Sequence, residues 1–97
     1  MPKVYLTKQA VEDLTNIWNY TFEHWSEKQA DAYYALLIAS CQELAKKPSL
    51  GKAYEIVSEG LFGFKAGEHI IFYRVISPKE IDVVRILYGM MDLRNTI

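Results

Sequence analysis

The chain has 97 residues, of which 51% are hydrophobic, and this length and apolar content predict a single domain over residues 1–97. The 11 lysines and arginines are balanced by 12 aspartates and glutamates, so the net charge of −1 excludes bulk attraction to nucleic acid, and a polyanion would need a local basic patch. The single cysteine, Cys41, excludes an internal disulfide. The sequence also has no signal-peptide segment and no apolar run of about 20 residues, so we expect a protein of the reducing cytoplasm.

A short strand at Lys3–Leu6 is predicted to lead into the first helix. Thr7 can cap that helix with its hydroxyl, and the helix should extend to about Glu23. Its apolar residues recur at spacings of three and four, which predicts one apolar side that the rest of the protein covers. These residues are Ala10, Val11, Leu14, Ile17, Trp18 and Phe22.

A second helix is predicted to follow after a break of only a few residues. Ser26 and Gln29 form a capping-box pattern at its start, and it should end near Lys47 because Pro48 cannot continue a helix. The short break favours an antiparallel helical hairpin. The apolar stripe continues through Ala30, Tyr33, Tyr34, Leu37, Ile38, Cys41, Leu44 and Ala45.

Beyond Pro48 the apolar residues alternate with a period of about two, which indicates strands rather than helices. Three strands are predicted, at 61–66, 69–76 and 81–88, and they follow one another as an antiparallel meander. Residues 54–57 form either a further short strand or an ordered loop. We therefore expect an α+β fold, in which the helical hairpin packs on a small antiparallel sheet of three to four strands that the N-terminal strand joins.

Two turns predict how these strands pair. A two-residue turn at Gly67 and Glu68 predicts that the facing residues are Ala66 with His69, Phe64 with Ile71 and Phe62 with Tyr73. A four-residue loop at 77–80 predicts that they are Ile76 with Ile81, Arg74 with Val83 and Phe72 with Arg85. Alternation along each strand then sorts the side chains into two faces.

One predicted face is apolar enough to pack against the helices. It carries Phe62, Phe64, Ala66, His69, Ile71, Tyr73, Val75, Asp82, Val84, Ile86 and Tyr88. The other face places Lys65, Arg74 and Arg85 within an apolar surface formed by Leu61, Ile70, Phe72, Ile76, Val83 and Leu87. An exposed apolar patch that contains arginine fits a protein partner better than a nucleic acid. The alternative is that both arginines pair with Asp82, Glu80 or the terminal carboxylate and only stabilise the fold.

Several short motifs, taken in their order and spacing, resemble one family over residues 4–92. They are Leu6-Thr7-Lys8-Gln9-Ala10, Asp13-Leu14, Ile17-Trp18-Asn19-Tyr20, Gln29-Ala30, Leu44-Ala45, Pro48-x-x-Gly51 and the segment GEHIIFYRVISPKEIDVVRILYGMMD at 67–92. This pattern is similar to the ParE branch of the RelE/ParE toxins of bacterial toxin–antitoxin pairs. The resemblance implies a toxin of a type II module that inhibits DNA gyrase by binding it, without chemistry of its own. It also implies a cognate antitoxin that is partly disordered and folds on exposed toxin surface, commonly in a heterotetramer.

Partner binding is expected from the resemblance and from the predicted faces. The residues that we expect to bind a partner are Lys65, Arg74, Arg85, Met90, Met91 and Asp92. A second group of candidates is His69, Tyr73 and Tyr88. We expect no catalytic residue, metal or cofactor, and no contact with a membrane or with a specific nucleic-acid sequence. Common ParE sequences have arginine, histidine and a basic residue where this sequence has Phe62, Tyr88 and Met90. Trp25 and the tyrosines of the second helix could also support a homodimer.

A ribonuclease function remains open as an alternative. The RelE branch cuts mRNA on the ribosome with cationic side chains and often a tyrosine, because a cationic cleft stabilises the charge that develops on phosphate. Here that chemistry would require five side chains to meet in one cleft, namely those of Lys52, Lys65, Arg74, Arg85 and Tyr88. The predicted pairing argues against an acid–base cluster, since it places His69 on the opposite face from both arginines.

A nontoxic module that only binds the antitoxin is the other alternative. The departures from the ParE pattern at Phe62, Tyr88 and Met90 could change the target or abolish toxicity. The residues Gly89-Met90-Met91-Asp92, where RelE proteins tend to place basic residues after the last strand, argue against ribonuclease chemistry. Lys46, Lys47 and Lys52 form the densest basic run. We interpret that run as solvated charge around a helix end.

Overall fold

The computed structural model describes residues 1–90, which contain two helices packed on a five-stranded mixed sheet. In chain order the elements are β1 (Lys3–Leu6), α1 (Lys8–His24), α2 (Glu27–Lys46), a short 3-10 turn (Pro48–Leu50), β2 (Lys52–Ala53), β3 (Phe62–Ala66), β4 (His69–Ser77) and β5 (Glu80–Tyr88). The strand order is β1-β5-β4-β3-β2, with β1 parallel to β5 and the other neighbours antiparallel. The predicted α+β fold is confirmed, and β2 adds an edge strand to the sheet. No helix in residues 1–90 is long and apolar enough to cross a membrane.

The helix boundaries follow the local signals that predict them. The Thr7 hydroxyl accepts a hydrogen bond from the backbone N–H of Ala10 at 3.0 Å. The Ser26 hydroxyl accepts one from the N–H of Gln29 at 3.0 Å, so both predicted N-caps are confirmed. The second helix ends shortly before Pro48, whose ring cannot continue it.

Of the two predicted hairpins, the first has the expected register and the second does not. The β3–β4 pairs are Phe62 with Tyr73, Phe64 with Ile71 and Ala66 with His69, as predicted. In β4–β5 the predicted pair of Phe72 with Arg85 is confirmed, but Ser77 pairs directly with Glu80, so the turn has two residues instead of four. The predicted pairs that are wrong are Ile76 with Ile81 and Arg74 with Val83.

Two bulges account for the changed register. Ile76 is an extra residue in β4, and Val84 is an extra residue in β5. Between the bulges the strand is shifted by one residue, so Ile81 and Val83 face the helices and are fully buried. The prediction that Asp82 and Val84 face the helices is wrong, because burying two aliphatic side chains is far more favourable than burying a carboxylate.

The main core lies between the helical hairpin and the sheet. Its largest fully buried side chains are Leu37, Leu44, Ile71, Tyr73, Ile81 and Ile86. Val75, predicted to join this core, is exposed beside the bulge at Ile76. Val11 and Phe22, predicted to lie on the covered side of α1, are also exposed, so the buried side of that helix is narrower than its apolar spacing suggests.

The opposite face of the sheet is a second, smaller core and not the exposed apolar patch that we predicted. Leu61, Phe72 and Leu87 are buried there, and Tyr54 and Val57 pack over them. Residues 54–57 are therefore an ordered loop rather than a strand. The prediction was wrong because alternation assigns a side chain to a face but says nothing about which loop covers that face.

The hydroxyl of Tyr73 ties the sheet to the segment that follows α2. It donates a hydrogen bond to the carbonyl of Pro48 at 2.6 Å and accepts one from the N–H of Gly51 at 3.0 Å, and the side chain is fully buried. Tyr73→Phe leaves both backbone groups without this partner, so we expect the free energy of unfolding to fall by about 1–3 kcal/mol. Urea unfolding followed by circular dichroism measures the change.

Tyr5→Phe is the matched control for this substitution. The Tyr5 hydroxyl also makes a hydrogen bond, to Glu80 Oε2 at 3.3 Å, but the side chain is exposed, so the change should stay within about 0.5 kcal/mol. Equal losses in the two variants would contradict the role assigned to the buried hydroxyl.

Candidate functional site

An open groove of about 830 Å³ lies between α1, the start of α2 and the ends of β4 and β5. Its lining includes Asp13, Tyr20, Trp25, Tyr33, His69, Arg85 and Tyr88, and we refer to it below as the groove. Aromatic rings form much of this lining, with one ion pair and one histidine among them. A cavity with this mixture can hold an apolar or aromatic group and orient it through a few polar contacts.

One wall of the groove is the part of β5 that β1 does not cover. β1 ends at Leu6, and from there α1 runs beside the open edge of β5. The Thr7 hydroxyl donates to the carbonyl of Val84 at 2.7 Å, and Asp13 Oδ2 accepts from the N–H of Ile86 at 3.0 Å. Side chains of the helix therefore satisfy backbone groups that a neighbouring strand would otherwise pair.

Asp13 and Arg85 form a two-point ion pair at this wall. Arg85 Nε donates to Asp13 Oδ2 at 2.8 Å, and Arg85 Nη2 donates to Oδ1 at 2.9 Å. The Arg85 and Asp13 side chains are only 18% and 11% exposed, respectively. The hydrogen bond to Asp13 raises the pKa of Arg85, so the guanidinium remains charged. The sequence suggested Asp82, Glu80 or the terminal carboxylate as partners of this arginine, and Asp13 was missed.

Tyr33 and His69 form a second polar contact in the groove. The Tyr33 oxygen accepts the N–H of Glu68 at 2.9 Å and lies 2.6 Å from His69 Nδ1. The phenol can donate its own proton to Nδ1, an arrangement that fits a neutral imidazole with its proton on Nε2. Burial lowers the pKa of His69 and raises the pKa of Tyr33, and both shifts favour this neutral arrangement.

Acidification is expected to destabilise the fold through His69. Burial holds its pKa below the value of 6.5 found in an unfolded chain, so between the two pKa values the unfolded state binds more protons. The contribution of His69 to stability is therefore fully present above pH 6.5 and declines as the pH falls through the folded pKa. We expect the midpoint of thermal unfolding of His69→Gln to depend less on pH than that of the parent between about pH 7.5 and 5.

His24→Gln serves as the control for the pH experiment, since His24 is exposed at the end of α1 and Nδ1 lies 2.9 Å from the carbonyl of Tyr20. This variant tests whether the removal of any histidine flattens the curve. If both histidine variants flatten the curve equally, the assignment of the effect to His69 is wrong.

The structure brings some of the predicted partner-binding residues together. Arg85, His69 and Tyr88 all line the groove, and the rings of His69 and Tyr88 meet edge to face at 5.9 Å between centroids. The predicted pairing at this end of the sheet is confirmed, since Phe72 faces Arg85. Arg85 nevertheless lines the same groove as His69, because its side chain reaches Asp13 at the open edge of β5.

Other predicted residues lie away from the groove. Arg74 Nη1 donates to the carbonyl of Glu59 at 2.6 Å and Nη2 donates to Ser58 Oγ at 2.8 Å, so this arginine holds the loop over the second core. Lys65 is exposed on β3, and Tyr73 is buried in the main core. Met90 is 82% exposed just after β5. The predicted residues Met91 and Asp92 lie outside the described residues.

The five residues required for a ribonuclease cluster are dispersed. Arg85 and Tyr88 line the groove, whereas Lys52 lies over the Tyr54 ring at the β2 edge of the sheet, 5.6 Å from its centroid. Arg74 is held at the loop over the second core. Within residues 1–90, no group of histidine, cysteine, aspartate or glutamate side chains is placed to hold a metal ion.

Sequence reasoning missed several residues of the groove. Asp13 and Tyr20 were noted only as parts of motifs, and Tyr33 was assigned to the apolar stripe of the second helix. Trp25 was considered for a homodimer, and it is an exposed residue of the groove. The available signal was the run of large aromatic side chains around the break between the helices.

Solved structures share this architecture. A protein of the chromosomal ParDE toxin–antitoxin system from Pseudomonas aeruginosa matches with a TM-score of 0.77 and 19% identity, over 91% of this chain and 96% of that chain. A protein of the toxin–antitoxin complex RelBE2 from Mycobacterium tuberculosis matches with a TM-score of 0.67 and 18% identity, over 91% and 99% of the two sequences. These likenesses define the class of fold, which is that of the RelE/ParE proteins.

Sequence comparison then identifies the family. The family model described as ParE toxin of type II toxin-antitoxin system, parDE, matches residues 4–93. The chain is 35% identical to Toxin ParE1 of Mycobacterium tuberculosis over 98 residues, which cover 100% of both proteins. It is 32% identical to Toxin ParE1 of Caulobacter vibrioides over 89 residues, or 92% of this chain and 91% of the relative. The chain belongs to the ParE family of toxins of type II toxin–antitoxin systems, as its sequence motifs predicted.

Proposed function

We propose that this toxin inhibits DNA gyrase by protein–protein binding and that a cognate antitoxin neutralises it. The observation that carries the proposal is the dispersal of Lys52, Lys65 and Arg74 away from the groove that holds Arg85 and Tyr88. Stabilising a phosphorane-like transition state requires several donors aimed at one point, which this distribution does not provide. Inhibition by binding requires only a complementary surface. Because gyrase acts on the bacterial chromosome, the proposal assigns the protein to the cytoplasm.

The groove is the surface that we assign to the antitoxin. Trp25 is 71% exposed and Tyr20 is 61% exposed at its rim, and exposed tryptophan and tyrosine are the residues most often found at binding hot spots. The ion pair of Asp13 with Arg85 lets the groove accept apolar side chains without burying an unpaired charge. A disordered antitoxin segment that folds into such a groove would offset its ordering cost by burying aromatic surface.

Alanine substitution tests this assignment. We expect Trp25→Ala and Tyr20→Ala each to weaken antitoxin binding by about 10- to 30-fold, measured by isothermal titration calorimetry with the cognate antitoxin. Tyr34→Ala is the control, because Tyr34 is an exposed tyrosine of α2 that does not line the groove. Unchanged affinity in both groove variants would place the antitoxin on another surface. The mass of the complex would show whether it is a heterotetramer, and the mass of the free toxin would show whether it is a homodimer.

For gyrase docking, the predicted residues differ in how well they can be tested. Lys65 and Met90 are exposed, so Lys65→Glu and Met90→Glu should change binding without disturbing the fold. Arg74 and Arg85 hold internal contacts, and their loss would combine an effect on folding with one on docking. The methionine is also suited to adapt its shape to a partner surface.

The first functional experiment is a gyrase supercoiling and cleavage assay with the purified full-length protein, run beside ribosome-dependent mRNA cleavage. The proposal expects cleaved DNA to accumulate while mRNA stays intact, with reversal by the antitoxin. Cut mRNA with unaffected gyrase would establish the RelE-type ribonuclease alternative instead. Inactivity in both assays at micromolar protein, together with tight antitoxin binding, would establish a nontoxic binding module.

A further inference from the structure

Four lysines from separate segments of the sequence meet at one end of the molecule. The backbone N–H of Lys3 donates to the carbonyl of Lys79 at 2.9 Å, which joins the start of β1 to the β4–β5 turn. Lys79 Nζ donates to the carbonyl of Lys46 at 3.2 Å, which joins that turn to the end of α2, where Lys47 follows. All four residues are exposed. We call this set, Lys3, Lys46, Lys47 and Lys79, the basic end.

We propose that the basic end binds the phosphate backbone of double-stranded DNA. The overall charge of −1 gives this protein no bulk attraction to a polyanion, so DNA binding requires a local concentration of cations. The fold supplies that concentration by joining three separate segments. The inference goes beyond gyrase inhibition and does not depend on it.

Nearby carboxylates only partly offset the charge of the basic end. Glu43 Oε1 lies 3.4 Å from Lys46 Nζ, and both side chains are largely exposed, so this is a weak surface pair. Glu80 accepts hydrogen bonds from Ser77 Oγ at 2.8 Å and from the Tyr5 hydroxyl at 3.3 Å. Among residues 1–90, the four cations of the basic end outnumber these two carboxylates.

Stabilisation of a helix end explains three of the four lysines but not their accumulated charge. Lys46 and Lys47 lie at the C-terminus of α2, where cations interact favourably with the helix dipole. Lys79 also contributes there, because Nζ donates to the carbonyl of Lys46 at the end of the helix. Lys3 lies on β1 and its side chain has no such contact among residues 1–90, so the helix end gives no reason for lysine at that position. Bringing four like charges together opposes folding and is consistent with a role in binding.

The residue type favours DNA over an acidic protein. Lysine carries a compact point charge on a flexible stem, which can follow phosphates on either strand without fixed geometry. Hot spots for protein partners are enriched instead in arginine, tryptophan and tyrosine. Contacts with phosphate position a protein on the DNA backbone but give no information about the base sequence. We therefore expect binding without sequence preference.

The test measures binding of the full-length protein to a fluorescently labelled duplex of about 20 base pairs by anisotropy, at salt concentrations from about 25 to 200 mM. Each phosphate contact contributes about −0.9 to the slope of log K against log salt. The double variant Lys3→Gln with Lys47→Gln removes two charges whose side chains make no hydrogen bond or ion pair among residues 1–90. We expect the slope to become shallower by about 2 and the affinity at about 50 mM salt to fall at least about tenfold.

The matched control is Lys28→Gln with Lys65→Gln, which removes two exposed lysines from the start of α2 and from β3. This variant should keep the slope of the parent, and Lys3→Arg with Lys47→Arg should keep it as well. Absence of salt-dependent binding by the parent at about 50 mM salt, or equal losses in the two glutamine doubles, would overturn the proposal. Binding of poly-glutamate as tight as that of DNA would overturn it in favour of an acidic protein partner.

Discussion

Asp13→Ala is expected to lower the free energy of unfolding by about 3–5 kcal/mol. The carboxylate accepts hydrogen bonds from two nitrogens of Arg85 and from the backbone N–H of Ile86. Removing it takes a two-point partner from a largely buried guanidinium and an acceptor from a strand N–H, while α1 loses one of its two side-chain attachments to the open edge of β5. For a domain whose total stability is about 5–15 kcal/mol, such a loss is a large fraction.

Asp31→Ala is the control, because Asp31 accepts a hydrogen bond from Trp18 Nε1 at 3.0 Å but is exposed, and its loss should cost less than about 1 kcal/mol. Urea unfolding of both variants gives the comparison. A double-mutant cycle with Arg85→Ala should then yield a coupling energy of about 1–3 kcal/mol. A cost below about 1 kcal/mol for Asp13→Ala would show that the ion pair does not hold α1 to the sheet.

Gly67→Ala is expected to lower the free energy of unfolding by about 2–4 kcal/mol. Gly67 has a φ of +59°, which alone costs an L-residue about 1–2 kcal/mol. An added Cβ would also lie 2.6 Å from Cε1 and 2.8 Å from the hydroxyl of Tyr33. That ring cannot retreat without losing its contacts to Glu68 and His69, so the substitution disturbs a wall of the groove as well as the turn.

Gly60→Ala separates the two contributions. Gly60 has a similar φ of +73°, but an added Cβ would meet only Arg74 Nη1, at 3.5 Å. This variant should therefore incur the backbone cost of about 1–2 kcal/mol and keep antitoxin affinity unchanged. Equal destabilisation in the two alanine variants would show that Tyr33 yields easily and that the crowding at Gly67 is unimportant.

Local sequence signals were sufficient for both helices, for four of the five strands in residues 1–90 and for one hairpin. The caps at Thr7 and Ser26 and the stop before Pro48 depend on residues only a few positions away, so their physical cause is contained in the sequence around them. The Gly67 turn sets the β3–β4 register for the same reason, since a two-residue turn leaves one choice of pairing. The motifs from Leu6 to Asp92 likewise identify the family by their order and spacing alone.

The candidate site was predicted only in part. Arg85, His69 and Tyr88 were named from the sequence, but they were assigned to different faces. Their convergence depends on where β1 ends, because the part of β5 beyond that point is left to α1 and Asp13, and the residues around Arg85 give no signal for it. Placement of side chains around a groove therefore requires the three-dimensional arrangement of the strands.

Contacts between distant segments were decided by the tertiary structure alone. Asp13 reaches Arg85 only because α1 lies along the open edge of β5, and Lys3, Lys46 and Lys79 meet only because three segments end at the same place. Likewise, the loop at 54–57 covers a face that alternation left exposed. Residue spacing determines whether a segment forms a helix or a strand and which of its sides is apolar. The element that packs against this side depends on the fold of the whole chain, because segments distant in the sequence can cover it.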